Sequence, residues 1–133
     1  MTMTWEKTTN GILVRVEPFF LDERSSVSER RFVWAYQVEI ENHSDITVQV
    51  LNRYWRITDA HGHVEEVYGP GVVGEQPVLA PGQSYRYTSG TPLTTPSGLM
   101  EGYYEMQGNT GMVFRAPIPL FSLDSPHDTT SRH

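Results

Sequence analysis

Two histidines and two carboxylates near the middle of the chain are residue types that bind divalent metal ions. His61, His63 and Glu65 alternate along the sequence, and Asp59 precedes them. In an extended strand His63 and Glu65 would share one face, with His61 close by across a turn. A structural metal site needs about four converging ligands with satisfied outer hydrogen bonds. An exposed hairpin without metal explains the same residues, so both interpretations stay open.

A glycine motif follows, and its pattern is that of a dinucleotide-binding loop, GxGxxG. Its members are Gly69, Gly71 and Gly74. In dinucleotide folds these glycines let a helix N-terminus approach a pyrophosphate. Here Pro77 and Pro81 prevent a regular helix after the motif, and the nearest flanking cations in sequence are Arg56 and Arg86. We expect a tight multiple turn and no tight nucleotide binding, although a nest of backbone N–H groups could hold an anion weakly.

The residue types of a hydrolytic site are present, but not in a pattern typical of one. Ser89, His61 and Asp59 could supply a nucleophile, a base and an orienting carboxylate, yet no GxSxG elbow occurs. Glu65 and Glu66 are adjacent, so in a strand they point to opposite faces and cannot act as a pair. The sequence therefore predicts no catalytic residues and no cofactor.

The composition is typical of a single globular domain. The chain has 133 residues, 38% of them hydrophobic and 20% charged, and a formal net charge of −6. This acidic balance argues against nucleic acid as a partner. There are no cysteines, which excludes disulfides and thiolate metal sites. Neither a signal-peptide core nor an apolar run of about 20 residues is present, so we expect a cytoplasmic protein with no membrane partner.

Apolar residues at every second position predict an all-β chain of about seven antiparallel strands, packed as a sandwich. The clearest strand is 31–41, whose apolar face is continuous. A sheet buried on one side and wet on the other produces this alternation. We expect a flexible N-terminus over 1–10, one domain over 11–123 and a disordered tail over 124–133. The predicted core includes Ile12, Val14, Val16, Trp34, Tyr36, Val38, Ile40, Trp55, Tyr104, Phe114 and Ile118.

Two irregularities in the pattern indicate particular features of the strands. Over 46–58 the apolar positions change from even to odd, which predicts a β-bulge near 51–53. Pro117 and Pro119 lie two apart, so their missing N–H groups face one side and the last strand is expected at a sheet edge. The expected inner face of that strand comprises Met112, Phe114, Ala116, Ile118 and Leu120.

The stretch 69–106 has a distinctive order of residues. Its runs GVVGEQPVLAPGQ, YTSGTPL and GLMEGYYEM resemble the ApaG family of small bacterial proteins, and the similarity extends over 11–123. That family is similar to a domain of some F-box proteins and of a protein that interacts with DNA polymerase delta. The resemblance implies an immunoglobulin-like sandwich of the fibronectin type III kind, with three strands facing four. It also implies protein–protein contact in the eukaryotic relatives and a family association with cobalt and magnesium efflux. We therefore favour a non-enzymatic interaction module.

Two segments of this stretch, 69–76 and 88–95, are predicted to be loops that together bind a protein partner. Glycine and proline fix these loops, so binding would lose little conformational entropy. Val72 and Val73 are adjacent, and at least one is expected to be exposed unless both plug the open end of the sandwich. No Lys or Arg occurs over 57–85, which favours a basic patch on the partner. The candidate contact residues are Val72, Val73, Glu75, Gln76, Thr88 and Ser89.

A second interpretation of the chain is a soluble regulator that responds to a divalent metal or a nucleotide. It would use the His61, His63 and Glu65 group or the glycine motif. The sequence does not specify the partner or the oligomeric state.

Overall fold

Strands make up most of the computed structural model, which describes residues 3–128. Within that range the chain forms nine strands, numbered here in chain order. They are β1 (Trp5–Thr9), β2 (Ile12–Phe20), β3 (Phe32–Asn42), β4 (Val48–Asp59), β5 (Val64–Pro70), β6 (Val78–Leu79), β7 (Ser84–Leu93), β8 (Gly98–Gly108) and β9 (Val113–Leu123). A 3₁₀ turn, Asp22–Arg24, lies between β2 and β3. No helix over 3–128 is long and apolar enough to cross a lipid bilayer.

The strands form two antiparallel sheets that pack face to face. The first sheet has the order β1-β2-β3-β7, and the second has the order β5-β4-β8-β9, with β6 also paired to β4. The predicted all-β sandwich is confirmed. The number of strands is larger than predicted, because four strands face five where the prediction had three facing four. The additional strands are β1 and β6.

Both chain ends are more ordered than the sequence pattern predicts. Residues 5–9 pair with β2 from Trp5↔Val16 onwards, so the expected flexible N-terminus is wrong for these residues. Backbone hydrogen bonds to β2 hold this strand in place. Its mostly polar side chains do not show the alternation by which strands are recognised in the sequence. At the other end, the Trp34 indole donates to the carbonyl oxygen of Asp124 at 2.8 Å. Residues 124–128 therefore pack on the sandwich, and the predicted tail is otherwise outside the described range.

The core lies between the two sheets and matches the predicted set closely. Every predicted core residue is buried, except Phe114, which is partly buried. The rings of Tyr36 and Trp55 come from opposite sheets and meet edge to face, with centroids 5.2 Å apart. Burial of a large apolar side chain contributes about 1.5–3 kcal/mol. These contacts between the two sheets therefore fix the spacing of the sheets along the side where β5 and β7 lie.

Two register shifts change which residues face inwards. The predicted bulge in β4 is confirmed between Val50 and Asn52. A second shift separates the pairs Met100↔Phe121 and Gly102↔Ile118, where one residue of β8 opposes two of β9. After this shift the inward positions of β9 change phase, so the prediction that Leu120 faces the core is wrong and its side chain is 51% exposed.

The predicted inner face of the last strand is also wrong at its beginning. Met112 precedes β9 and is exposed, since it lies at the turn that connects β8 to β9. The predicted edge position of β9 is confirmed, because β8 is the one strand that pairs with it within residues 3–128.

The two lateral sides of the sandwich differ. On one side β9 lies close to β1 and β2, and the rings of Trp5 and Phe121 approach to 6.2 Å. On the other side β5 and β7 are the edge strands of their sheets, and depressions in the surface are lined by residues of both. The sandwich is therefore closed along one side and open along the other.

An ion-pair network covers the outer face of the first sheet. Arg15 contacts Glu6, Glu39 and Glu41 at 3.0, 2.5 and 2.8 Å, and His43 lies 2.7 Å from Glu41. Hydrogen bonds from His43 and then Arg15 lower the pKa of Glu41 from its usual 4.5 to about 2. This carboxylate therefore stabilises the fold above its unfolded-state pKa, and the contribution is lost as pH falls from 4.5 towards 2.

We expect Glu41→Gln to lower the melting temperature at pH 6 and to flatten its fall between pH 4.5 and pH 2. Melting followed by circular dichroism across that range measures both effects. Glu23→Gln, at an exposed position of the 3₁₀ turn, is the matched control and should follow the parent protein. An unchanged acid limb in the Glu41 variant would contradict the assignment.

Candidate partner-binding site

The open side of the sandwich contains a continuous depression between β5 and β7. Its larger part is about 540 Å³ and its smaller part about 240 Å³. Both parts are lined by Ile57, Glu65, Thr91 and Pro92. We call the whole depression the lateral groove. The smaller part is also lined by Tyr36, Arg53, Trp55, Val67, Ser89 and Gly90.

The first predicted loop, 69–76, contains a small hairpin, and it is joined to this groove through Arg53, which lines the smaller part and bonds to the Pro70 and Gly71 carbonyl oxygens. Val72 and Glu75 exchange backbone hydrogen bonds of 2.7 and 3.0 Å. The central residues are Val73, with φ 47°, and Gly74, with φ 80°. Positive φ at both central positions is the signature of a type I′ turn. We call residues 72–75 the Val73 hairpin.

The two valines of this hairpin have opposite environments. Val72 is 0% exposed and belongs to the core, so its prediction as a partner contact is wrong. Val73 is 61% exposed at the tip of the turn. A β-branched residue at positive φ is rare, because its side chain crowds the backbone. Val73 is therefore both exposed and conformationally strained.

The candidate side chains of Glu75 and Gln76 anchor the Val73 hairpin. The Gln76 amide donates to the carbonyl oxygen of Leu51 at 2.9 Å, and the Gln49 amide donates to the carbonyl oxygen of Gln76 at 3.1 Å. The Tyr85 hydroxyl of β7 donates to the Glu75 carboxylate at 3.2 Å. These two candidates are thus engaged with the sandwich, and Val73 is the member of the hairpin that projects from it.

Arg53 of β4 supplies a cation that the sequence pattern did not place here. Its Nη1 donates to the carbonyl oxygens of Pro70 and Gly71 at 2.9 and 3.2 Å. A Cβ added at Gly69 would lie 3.3 Å from this guanidinium, so the glycine leaves room for it. The acidic segment 57–85 therefore has an arginine against it, which weakens the expected preference for a basic partner. The sequence did contain a signal for this position. After the predicted bulge Arg53 lies two residues before Trp55, so the two side chains are expected on the same face of β4.

The three glycines of the GxGxxG motif have structural roles: they allow the turn of the Val73 hairpin and its close packing against β4. A Cβ at Gly71 would lie 2.1 Å from the Glu75 carbonyl oxygen, so no larger residue fits there. The Gly71 and Val72 N–H groups already donate to the carbonyl oxygens of Leu51 and Glu75. The chain continues into β6, not into a helix. The absence of tight nucleotide binding stays a prediction.

The second predicted loop, 88–95, is mostly strand, because β7 continues to Leu93. Thr88 is exposed on the outer face of β7, and Ser89 faces the lateral groove. Burial raises the pKa of the Tyr36 phenol, and a hydrogen bond with Ser89 opposes that rise. Gly90 and Pro92 suggested a loop, but an edge strand tolerates both residues.

A buried group of tyrosines lies beneath the groove. The hydroxyls of Tyr87 and Tyr104 are 2.5 Å apart. Burial raises the pKa of both phenols, most strongly for the fully buried Tyr104. Because these hydroxyls stay protonated at neutral pH, they act as hydrogen-bonding groups of the core and supply no general base there.

The predicted metal ligands lie at the far end of the groove and do not converge. The Asp59 carboxylate accepts the backbone N–H groups of His61 and His63 at 2.9 and 3.0 Å, and the His63 ring lies 3.4 Å from it. Burial acts to raise the pKa of Asp59, but these donors outweigh it and the pKa is lowered. Within residues 3–128 no group of three or more histidines and carboxylates is arranged to hold a metal ion. His61, His63 and Glu65 therefore do not form a metal-binding site in this structure.

Titration with Co²⁺ should therefore shift the His61 and His63 ring resonances only at millimolar concentrations, because weak binding by one or two ligands is all this geometry supports. Proton NMR of the His ring signals measures it, with His43→Ala as a control that keeps the response and His63→Ala as the variant that loses it. Saturation at micromolar Co²⁺ would contradict the expectation.

Val73→Asn should stabilise the protein by about 1 kcal/mol, because asparagine tolerates the left-handed conformation that valine resists. Urea denaturation measures the free energy of unfolding. Val78→Asn is the matched control, since Val78 is also exposed but lies in a strand, and it should give no gain. Equal effects of both substitutions would mean that Val73 is not strained.

Comparison with known proteins agrees with this fold and shows the family of the chain. The sequence profile of the ApaG domain matches residues 22–108. Protein ApaG of Paramagnetospirillum magneticum is 60% identical over 124 residues, covering 93% of this chain and 95% of the relative. Protein ApaG of Agrobacterium fabrum is 59% identical over 118 residues, covering 89% and 91%.

A solved structure gives the same result in three dimensions. The crystal structure of an ApaA protein from Bordetella pertussis superposes with a TM-score of 0.85 at 45% identity, covering 88% of this chain and 95% of that one. The profile match spans well over half of the residues, and both relatives are about 60% identical over about nine tenths of the chain. The chain therefore belongs to the ApaG family.

Proposed function

We propose that this chain is a non-enzymatic interaction module that binds a protein partner at the lateral groove and the Val73 hairpin. The observation that carries the proposal is Val73, an exposed and strained apolar residue on an anchored turn. Left-handed backbone at a non-glycine residue costs about 1–3 kcal/mol. Asparagine or glycine would remove this cost, so the valine is best explained by a contact that its side chain makes.

The surroundings of Val73 support a docking role. Glu75, Gln76 and Arg53 fix the hairpin to β7 and β4, so little conformational entropy is lost when a partner binds. The lateral groove beside it adds partly exposed core side chains, among them Val67. An ordered apolar tip next to a groove is a common arrangement at protein interfaces.

Several titratable groups at the groove are engaged in the fold, which supports a role without catalysis. Burial keeps the tyrosines beneath the groove protonated, and the Asp59 carboxylate accepts backbone N–H groups. A family association with cobalt and magnesium efflux would enter this proposal through the partner. A cytoplasmic location is part of the proposal as well.

Val73→Asp should abolish partner capture from the native cell while the melting temperature is unchanged or slightly raised, because the substitution removes an exposed apolar contact and relieves strain. Val72→Asp should instead lower stability by a few kcal/mol, because it buries a charge in the core. Quantitative affinity capture with melting curves measures both.

Val113→Asp is the matched control, since Val113 is 56% exposed on β9, away from the groove. It should retain capture and stability. If the Val73 variant keeps full capture, the Val73 hairpin is not the partner-binding surface and the proposed site is wrong.

A further inference from the structure

We propose that the partner contributes an extended segment that pairs with the free edge of β7 as an added β-strand. This inference rests on the proposed function and specifies how the same groove is used. β-Strand addition takes its affinity from backbone hydrogen bonds and its specificity from alternate side chains. Three observations favour β7: the other sheet edges are blocked, its own backbone groups are free, and the groove beside it can accept side chains.

The other sheet edges carry features that prevent strand pairing. β9 has Pro117 and Pro119 in its sequence, and β1 lies against β9. β5 has consecutive glutamates and ends in Pro70. Proline and charge are the usual protection of an edge strand. Residues 84–91 of β7 contain neither proline nor an uncompensated charge, because Arg86 is paired with Glu39 at 2.9 Å.

The register shows which backbone groups of β7 are free. The Asn42 N–H donates to the Gln83 carbonyl oxygen at 2.9 Å, and β3 and β7 continue in register as Ile40↔Tyr85 and Val38↔Tyr87. Hydrogen-bonded pairs alternate along an antiparallel ladder, so odd-numbered residues of β7 bond to β3. The N–H and C=O groups of the even-numbered residues point away from β3. These residues are Ser84, Arg86, Thr88 and Gly90, with no strand beside them within residues 3–128.

The groove determines which side chains the added strand carries. Every second side chain of such a strand would enter the part of the groove lined by Trp55, Ile57 and Val67, which has a volume of about 240 Å³. Apolar residues at alternate positions would fill it. A second copy of β7 fits this role poorly, because its inward residues Tyr87 and Thr91 are buried in its own core.

Charged residues near Leu93, in the larger part of the groove, indicate what charge the end of the added segment carries. Arg30 and Arg31 line the groove near Leu93, and neither has an ion pair among the described residues. Three carboxylates, those of Glu29, Asp59 and Glu65, line the same part of the groove, and the Asp59 carboxylate already accepts backbone N–H groups. Arg53 lines the other part, where its guanidinium bonds to carbonyl oxygens. A carboxylate on the end of the segment that lies beside Leu93 would meet the two unpaired arginines. The occupant is therefore an extended peptide with alternating apolar residues and an acidic end.

The test is selection of a phage-displayed library of random peptides, ten residues long to match the ten of β7, on the immobilised full chain. Selected peptides should alternate apolar residues, carry an acidic end and bind the parent chain about tenfold more tightly than Thr88→Pro, which removes an outward N–H. Hydrogen exchange followed by NMR should show new protection at Ser84, Arg86, Thr88 and Gly90.

Two controls keep the result interpretable. Glu66→Pro removes an outward N–H from the β5 edge and should leave peptide binding intact, and N-methylation of alternate peptide amides should abolish binding without altering the protein. Failure to select any such peptide, protection elsewhere, or binding that survives N-methylation would overturn strand addition. A partner captured through Val73 but unaffected by Thr88→Pro would overturn strand addition alone, whereas capture unaffected by Val73→Asp would overturn the proposed function.

Discussion

The bulge at Leu51 in β4 is the feature on which the candidate site depends. It releases the carbonyl oxygen of Leu51 from the regular ladder, and that oxygen accepts both the Gly71 N–H and the Gln76 side-chain amide, at 2.8 and 2.9 Å. The same change of phase turns Arg53 inwards, where it binds the Pro70 and Gly71 carbonyls. One extra residue in a strand thus both anchors the Val73 hairpin and lines the groove, as bulges near functional sites often do.

Much of this framework can be predicted from local sequence pattern. The change of apolar phase in β4 required a bulge, and period-2 alternation identified the buried residues of the central strands. These are properties of a single strand with one buried face. β1 could not be recognised in that way, because backbone pairing with β2 holds it and its side chains are mostly polar. The phase change in β9 escaped detection because Leu120 and Phe121 are adjacent apolar residues, and the sequence does not show which of them faces inwards.

The candidate site was predicted less well, for a related reason. Val72 and Val73 are chemically identical, and the turn alone decides which one is buried. Valine disfavours the left-handed conformation, so sequence preference argued against the type I′ turn that forms here. The role of Arg53 depends on pairing with β5, and the extension of β7 across Gly90 and Pro92 depends on its edge position. Each of these is a tertiary effect that overrides local propensity.

Three departures from local preference lie together. The strained valine, the unblocked edge of β7 and the unpaired arginines all border the same groove, whereas the edge strands of the closed side are protected, β9 by its prolines and β1 by its contact with β9. A strained turn lowers stability, and a free edge risks aggregation, so neither persists without a compensating benefit. Natural sequences concentrate such conflicts where the surface has a task beyond folding. Their coincidence on one side locates the functional surface of this sandwich more firmly than any single residue does.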